Sequence, residues 1–461
     1  MRNLSDSPIK RIYKKPNPGE ARRIAFALVT QVNREGAYAN LRLPQLLSDS
    51  TLDQRDRSFV TELAYGTLRM QGKHDYAISK FIDRDISQLD SSVLDLLRLG
   101  VHQLTEMRVS DHAAVSETVE LARAVAGESK ATYINAILRK VSSDSTLFDD
   151  VRSKIESNPK YALSILYSHP EWIVSAFFDL LKNWGSVEKA LAANNEPVAP
   201  NLIAWPGKST REELLSLGGS ALKIGRSSIL ADRMPTEYPA IRERRAGVQD
   251  CGSQLLTEIF FETAKEINSR NLDWLDLCAG PGGKAAYLQA LISTERSSDT
   301  FTANEPSEHR AKLVQSVVNL ENVISLDGRN ASEFPGKYDR ILVDAPCSGL
   351  GALRRRPEAR WRKNLSDLKG LIELQRDLLD SAYTLLKPGG IVGYATCSPH
   401  LLETKGQVLD FAHRHKEATQ ISISIADTGI EGAINSDGNM QLWTHVQKSD
   451  SMFLALFQKP E

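Results

Sequence analysis

Residues 272–284 read LDWLDLCAGPGGK, a short and mostly apolar run that passes into glycines and a proline and then into the lysine opening a helical pattern at 284–292. An apolar strand leading straight into a glycine-rich turn and a helix is the opening unit of a parallel α/β sheet. Working outward, further apolar runs stand at 301–304, 323–326, 338–343 and 391–395. Helical patterns at 307–320 and 368–386 separate them, the last ended by KPGG at 387–390. This alternation over 246–461 predicts a doubly wound, Rossmann-like sheet, with MFLALF at 452–457 as a closing strand.

In such sheets ligands bind beyond the carboxyl ends of the strands, where glycines let a ligand approach the backbone at a helix start. The run Cys278, Ala279, Gly280, Pro281, Gly282, Gly283, Lys284 therefore reads as a cofactor loop. Gly280, Gly282 and Ala285 fit the relaxed dinucleotide pattern, which leaves nicotinamide and other nucleoside cofactors open. A P-loop is excluded, because Ala285 stands where Ser or Thr would hold magnesium. Acids close the next three strands: Glu305, placed to accept from both ribose hydroxyls, then Asp327 and Asp344.

The fourth strand runs into DAPCSG at 344–349 and the fifth into TCSP at 396–399. Cys347 and Cys397 thus fall where the sheet presents ligand-binding residues, which points to thiol chemistry. Cys278 is expected to act through its backbone and Cys251 to be a packed thiol. The four cysteines are 27, 69 and 50 positions apart, with no CxxC pair and no Cys/His cluster. No metal site and no disulfide framework is expected.

Upstream, residues 20–141 are helical in pattern almost throughout. Ile24, Leu28, Val29 and Val32 recur at helical spacing, as do Val93, Leu94, Leu97, Val101 and Leu104. Ser110 or Asp111 caps a further helix, and 133–141 reads as the last. This half is expected to be an all-α bundle. Prolines at 197, 200, 206, 235 and 239 break the rhythm between the halves, where a strand at 201–205 and a helix at 210–217 suggest a small α+β subdomain.

A chain of 461 residues holds about three domains. Apolar residues at 41% and charged residues at 25% are globular values. No run approaches the roughly 18 apolar residues of a membrane span, and MRNLSDSPIKRIYKK has no apolar segment behind its charges, so no secretory signal is read and a cytoplasmic location is expected. The 57 basic and 58 acidic residues nearly cancel. Locally they do not: residues 1–24 hold seven Lys/Arg against two acids, and 351–365 (GALRRRPEARWRKNL) six against one. Arginines interleaved with Trp361 suit phosphate contacts and base stacking.

Taken together, LDLCAGPGGK (275–284), VDAPCSGLGALRRRPEARW (343–361) and YATCSPHLLE (394–403) resemble the RsmB-type, also called Fmu or Sun, RNA 5-methylcytosine methyltransferases. The helical half, with YGTLR at 65–69, is similar to their NusB-like RNA-binding domain. The resemblance implies a multidomain chain: a basic tail at 1–17, a NusB-like all-α bundle at 18–148, a connecting helical and α+β subdomain at 149–245, and a Rossmann-like S-adenosylmethionine-dependent methyltransferase domain at 246–461. It implies methyl transfer from S-adenosyl-L-methionine to carbon 5 of a cytosine in 16S rRNA, with Cys397 as nucleophile, Cys347 assisting product release and Asp344 beside both cofactor and base.

By the same resemblance, Cys278 to Lys284 line the cofactor, Glu305 holds the ribose and Asp327 the adenine edge, while Arg354, Arg355, Arg356, Arg360 and Trp361 hold the RNA. The residues alone do not rank the two thiols; the family's TCS pattern does. Glu305 replaces the family's usual Asp, Cys251-Gly252 departs from its motif at 249–254, and Asp450 to Phe453 replaces a more aromatic version. A monomer is the favoured state. The rival readings are the same chemistry on another RNA such as tRNA, a nicotinamide oxidoreductase, which leaves both thiols unexplained, and a non-catalytic NusB-like scaffold. Ala-Pro-Cys at 345–347 is not the Pro-Pro-aromatic surface of an amino-methylating enzyme.

Overall fold

The computed structural model describes residues 18–264 and 271–461, so the basic tail at 1–17 lies outside the described residues. The chain divides into two compact units, meeting between Ser168 and His169.

The first unit is all helix. Glu20–Glu35 buries Ala25, Leu28, Val29 and Val32 on one stripe, as the spacing predicts, and ends at Gly36, whose φ of 70° is a left-handed cap. Asp90 caps Ser91–Thr105 by accepting from the amides of Ser92 and Val93. Ser110 does occupy the N-cap of Asp111–Ala126, but its side chain makes no capping bond. Residues 65–69 lie at the end of the helix Gln54–Arg69 and point inward: Gly66, Thr67, Leu68 and Arg69 are buried. Gly66 is required there, since a Cβ would stand 2.1 Å from Nε2 of His102. Short helices Asp149–Arg152 and Pro159–Leu166 carry this unit past residue 148.

The second unit begins with the helices Glu171–Leu181 and Trp184–Ala193. An antiparallel sheet follows, built from β1 (Asn201–Ala204), β2 (Ser220–Ala221), β3 (Ser228–Leu230) and β4 (Ala246–Val248) in the order β2-β3-β1-β4. The large sheet contains β5 (Asp273–Asp276), β6 (Thr300–Asn304), β7 (Val323–Ile324), β8 (Tyr338–Asp344), β9 (Leu386–Thr396), β10 (Thr419–Ile421), β11 (Met440–Gln441) and β12 (Phe453–Gln458). Its order is β10-β12-β9-β8-β5-β6-β7, with β11 paired to β12. Strands β5 to β9 are parallel, as expected, whereas β12 returns antiparallel against β9 and β10 and β11 join it, so the sheet is mixed. Chain order reverses between β5 and β8, the switch point where such sheets bind ligands.

Two expected boundaries move. The helix expected at 307–320 is Glu308–Gln315: the β-branched Val317-Val318 follow it, and the Asn319 amide turns to Gln289 Oε1 at 3.2 Å. Lys387 to Gly390 does not separate helix from strand but lies inside β9, where the register with β8 shifts and Gly389 takes φ 69°. Trp274 anchors the core, packed between Phe260 and Phe261. Among the described residues no helix is long and apolar enough to cross a membrane.

Candidate active site

The carboxyl ends of β5, β6, β8 and β9 converge on one place. After β5 the chain turns through Cys278 to Gly282 into the helix Gly283–Glu295. Gly282 has φ 115°, and a Cβ there would meet Val317 at 2.7 Å, so only glycine fits. Asn304, fully buried at the end of β6, ties this turn down: its Nδ2 donates to the carbonyls of Leu277 and Leu326, both at 3.1 Å, and its Oδ1 accepts from the Leu326 amide at 2.9 Å. Glu305 accepts from the Gly280 amide at 3.1 Å and the Ser307 amide at 3.0 Å, with Arg310 at 3.4 Å.

Lys284 reaches across the switch point, and its Nζ donates to Asp344 Oδ2 at 2.8 Å. Burial is the largest influence and works against this ammonium, but the charge and hydrogen bond of Asp344, with Cys397 and Asp276 adding, make the net shift upward. Asp276, the last residue of β5, is buried; burial, with Asp344 next, pushes its carboxyl up to about 7. Its Oδ1 accepts from the Cys278 amide at 3.2 Å, while Oδ2 has no hydrogen-bond partner among the described residues.

Beyond β8 and β9 the two thiols meet, with Cys347 Sγ 3.4 Å from Cys397 Sγ. Both are half-buried. The hydrogen bond between them is the largest influence on each: it lowers Cys397, against the opposing effect of burial and of Asp344, and with Lys284 assisting, while it raises Cys347 well above the usual thiol range. With Cys397 as the anion, Cys347 is the donor. Burial puts Cys278 and Cys251 far from this behaviour, Cys251 at about 12. The arrangement presents one activated sulfur, a neighbouring S–H and a cation–carboxylate pair at the mouth of a glycine loop.

Comparisons with known proteins agree with that geometry. Residues 265–458 match the family described as 16S rRNA methyltransferase RsmB/F, and residues 19–143 match the NusB family. A Mycobacterium tuberculosis H37Rv chain named as a methyltransferase, Rv1407, is 41% identical over 449 residues, covering 95% of this chain and 96% of its own. The chain belongs to the RsmB/F methyltransferase family. Ribosomal RNA small subunit methyltransferase B of Vibrio vulnificus is 28% identical, over 90% of this chain and 97% of its own. The solved structure of PH0851 shares the fold, with a TM-score of 0.78 at 21% identity over 97% of this chain and 100% of its own.

On this RsmB/F scaffold the remaining expected residues sit differently from one another. Asp327 is half-exposed and paired with its neighbour Arg329 at 2.6 Å. The basic run 354–361 is mostly not a solvated surface, which corrects the expectation that it holds RNA as a block. Arg360 is 0% exposed and donates to Asn195 Oδ1 at 2.8 Å. Arg354 is buried, donating to the Lys448 carbonyl at 2.7 Å, and Arg355 is ion-paired with the buried Asp450. A guanidinium buried this way and bonded to protein oxygens is turned away from a phosphate in solvent. Arg356 is exposed and Trp361 half-exposed.

Sequence reasoning assigned no individual role to Asp276, Asn304, Glu403 or Asp450. Asp276 and Asn304 carry a one-dimensional signal, a polar residue closing an otherwise apolar strand. Glu403 and Asp450 carry none: Ser398 is near Glu403 in the chain, but Ser348, Gln375 and, for Asp450, Arg355 lie far away.

Proposed function

We propose that this RsmB/F chain transfers a methyl group from S-adenosyl-L-methionine to carbon 5 of a cytosine in 16S rRNA, through a transient bond between Cys397 and carbon 6 of the base. The observation that carries this reading is the pair of thiols 3.4 Å apart at adjoining strand ends, next to Lys284 and the Cys278–Lys284 turn. The turn fits a nucleoside cofactor: Asp276 Oδ2 is an orphaned buried acceptor, and a Cβ at Gly280 would stand 2.0 Å from Glu305 Oε2, leaving backbone alone facing the site. Cys278 to Lys284, Glu305 and Asp327 would hold the cofactor. When bound, it supplies an electrophilic sulfonium methyl group.

Carbon 5 of cytosine is a poor nucleophile. Addition of the Cys397 thiolate to carbon 6 breaks the 5,6 double bond and moves its electron pair to carbon 5, the atom that takes the methyl group. Loss of the carbon 5 proton and departure of Cys397 as thiolate restore the ring. Cys347, one hydrogen bond away, supports that departure by donating its S–H to the leaving sulfur. Asp344 keeps Lys284 charged and fixed beside them. The base must be presented in an unstacked region of the RNA, since carbon 6 is inaccessible within a helix.

Incubating the chain with 16S rRNA and methyl-labelled cofactor, then digesting to nucleosides, tests the reading. The label is expected in 5-methylcytidine. Label in another nucleoside, or none in the RNA, overturns it.

A further inference from the structure

Glu403 closes the short turn Leu401–Glu403 after β9, and its side chain is 0% exposed. A carboxylate this deep is costly unless its lone pairs are filled, and here they are. Ser348 donates through its amide at 2.7 Å and also through its hydroxyl, Ser398 donates through its hydroxyl at 2.6 Å, and Gln375 donates through Nε2 at 3.1 Å. Ser348 directly follows Cys347, and Ser398 directly follows Cys397. The two serine hydroxyls are 3.1 Å apart. Gln375 extends the brace by donating to the Pro346 carbonyl at 2.8 Å, and Tyr394 closes it by donating to the Glu403 carbonyl at 2.8 Å. The set joins the loop that carries Cys347 to the loop that carries Cys397.

We propose that Glu403 is the positioning residue of the thiol pair: its buried carboxylate ties the Cys347 loop to the Cys397 loop through Ser348 and Ser398 and so holds the two sulfurs within hydrogen-bond distance. The inference rests on the reading of Cys397 as the nucleophile. Its physical content is separate from packing. A glutamine of the same shape puts an uncharged carbonyl oxygen and an NH2 in place of two charged acceptor oxygens, so the serine hydroxyls that now donate to Oε2 must reverse or find other partners, and the tie between the two loops loosens. When a loop turns away, Cys347 leaves Cys397, and Cys397 keeps Lys284 and Arg355 as favourable charges against Asp344 and Asp450.

The test reads Cys397 directly, without RNA or cofactor: the rate of alkylation by iodoacetamide across the neutral to alkaline range, followed on the Cys397 peptide of the full chain. The Glu403→Gln variant is expected to raise the midpoint for Cys397 by about one pH unit, to the value of the Cys347→Ala variant. The double variant is expected to rise no further, because both changes remove the same hydrogen bond. An unchanged midpoint in Glu403→Gln, or additive rises, overturns the proposal. If Glu403→Gln does not fold, Ser348→Ala combined with Ser398→Ala decides by the same criterion. Because no methyl transfer is measured, failure here leaves the proposed reaction standing, and failure of the reaction shows instead in the labelled-cofactor assay.

Discussion

Cys347 Sγ lies 3.4 Å from Cys397 Sγ, although 50 residues separate them in the chain. Parallel pairing of β8 with β9 produces this closeness, because Asp344 pairs with Ala395 and each thiol follows its strand end by a few residues. The asymmetry of the pair assigns each sulfur a different task. Cys397→Ala is expected to reduce methyl transfer to background. Cys347→Ala is expected to retain bond formation and lose release, leaving a protein–RNA adduct visible on a denaturing gel. Normal turnover by Cys397→Ala contradicts the assignment.

Lys284 acts on this pair from the cofactor loop, bonded to Asp344 at 2.8 Å. It lowers the Cys397 thiol, and the thiolate is the reactive form, so alkylation of Cys397 rises with pH through that midpoint. Lys284→Met removes the cation and leaves Asp344 unopposed. The midpoint is expected to move up by about one pH unit, shifting the rising limb to higher pH. A limb that stays in place would show that the hydrogen bond from Cys347 alone sets the thiol.

Asp276 predicts a pH effect on stability. Burial, then Asp344, raises its carboxyl to about 7 in the fold, against about 4 in an unfolded chain. The folded state therefore holds a proton that the unfolded state gives up between those values. The stability from this group is complete below about pH 4 and is lost as pH rises through about 7. Asp276→Asn keeps an acceptor for the Cys278 amide and does not titrate. Thermal unfolding of wild type is expected to fall progressively below that of the variant over this range. Parallel curves would refute the shift.

The strands, the glycine turn and both thiols were legible because each is written locally, as an apolar run ending in a short polar motif. Cys347 and Cys397 could be placed on one edge of the sheet from strand order alone. Glu403 was quoted within a motif, yet its role depends on Ser348 and Gln375, which only the folded sheet brings to it. Asp450 is likewise defined by Arg355, 95 positions away. The arginine run misled for a related reason. Charge along a sequence reads as solvent exposure, and no periodicity marks the oxygens that fold over Arg360. The helix expected at 307–320 was overlong because tertiary demand at Asn319 outweighed helical spacing.

Arg360 and Arg356, four residues apart, should behave oppositely. Arg360 is fully buried, bonded to Asn195 and close to the Asn194 carbonyl at 3.4 Å. Arg360→Ala opens a cavity and strips buried acceptors of their donor, at a cost of about 3 kcal/mol in denaturant unfolding. The fraction that stays folded is expected to bind RNA with the wild-type salt dependence. Arg356 is exposed, so Arg356→Ala is expected to leave unfolding within about 0.5 kcal/mol of wild type. If Arg356 neutralises a phosphate, its loss lowers the slope of log affinity against log salt by roughly one. A reduced slope for Arg360→Ala with unchanged stability would return that arginine to the RNA surface and reverse the correction drawn from its burial.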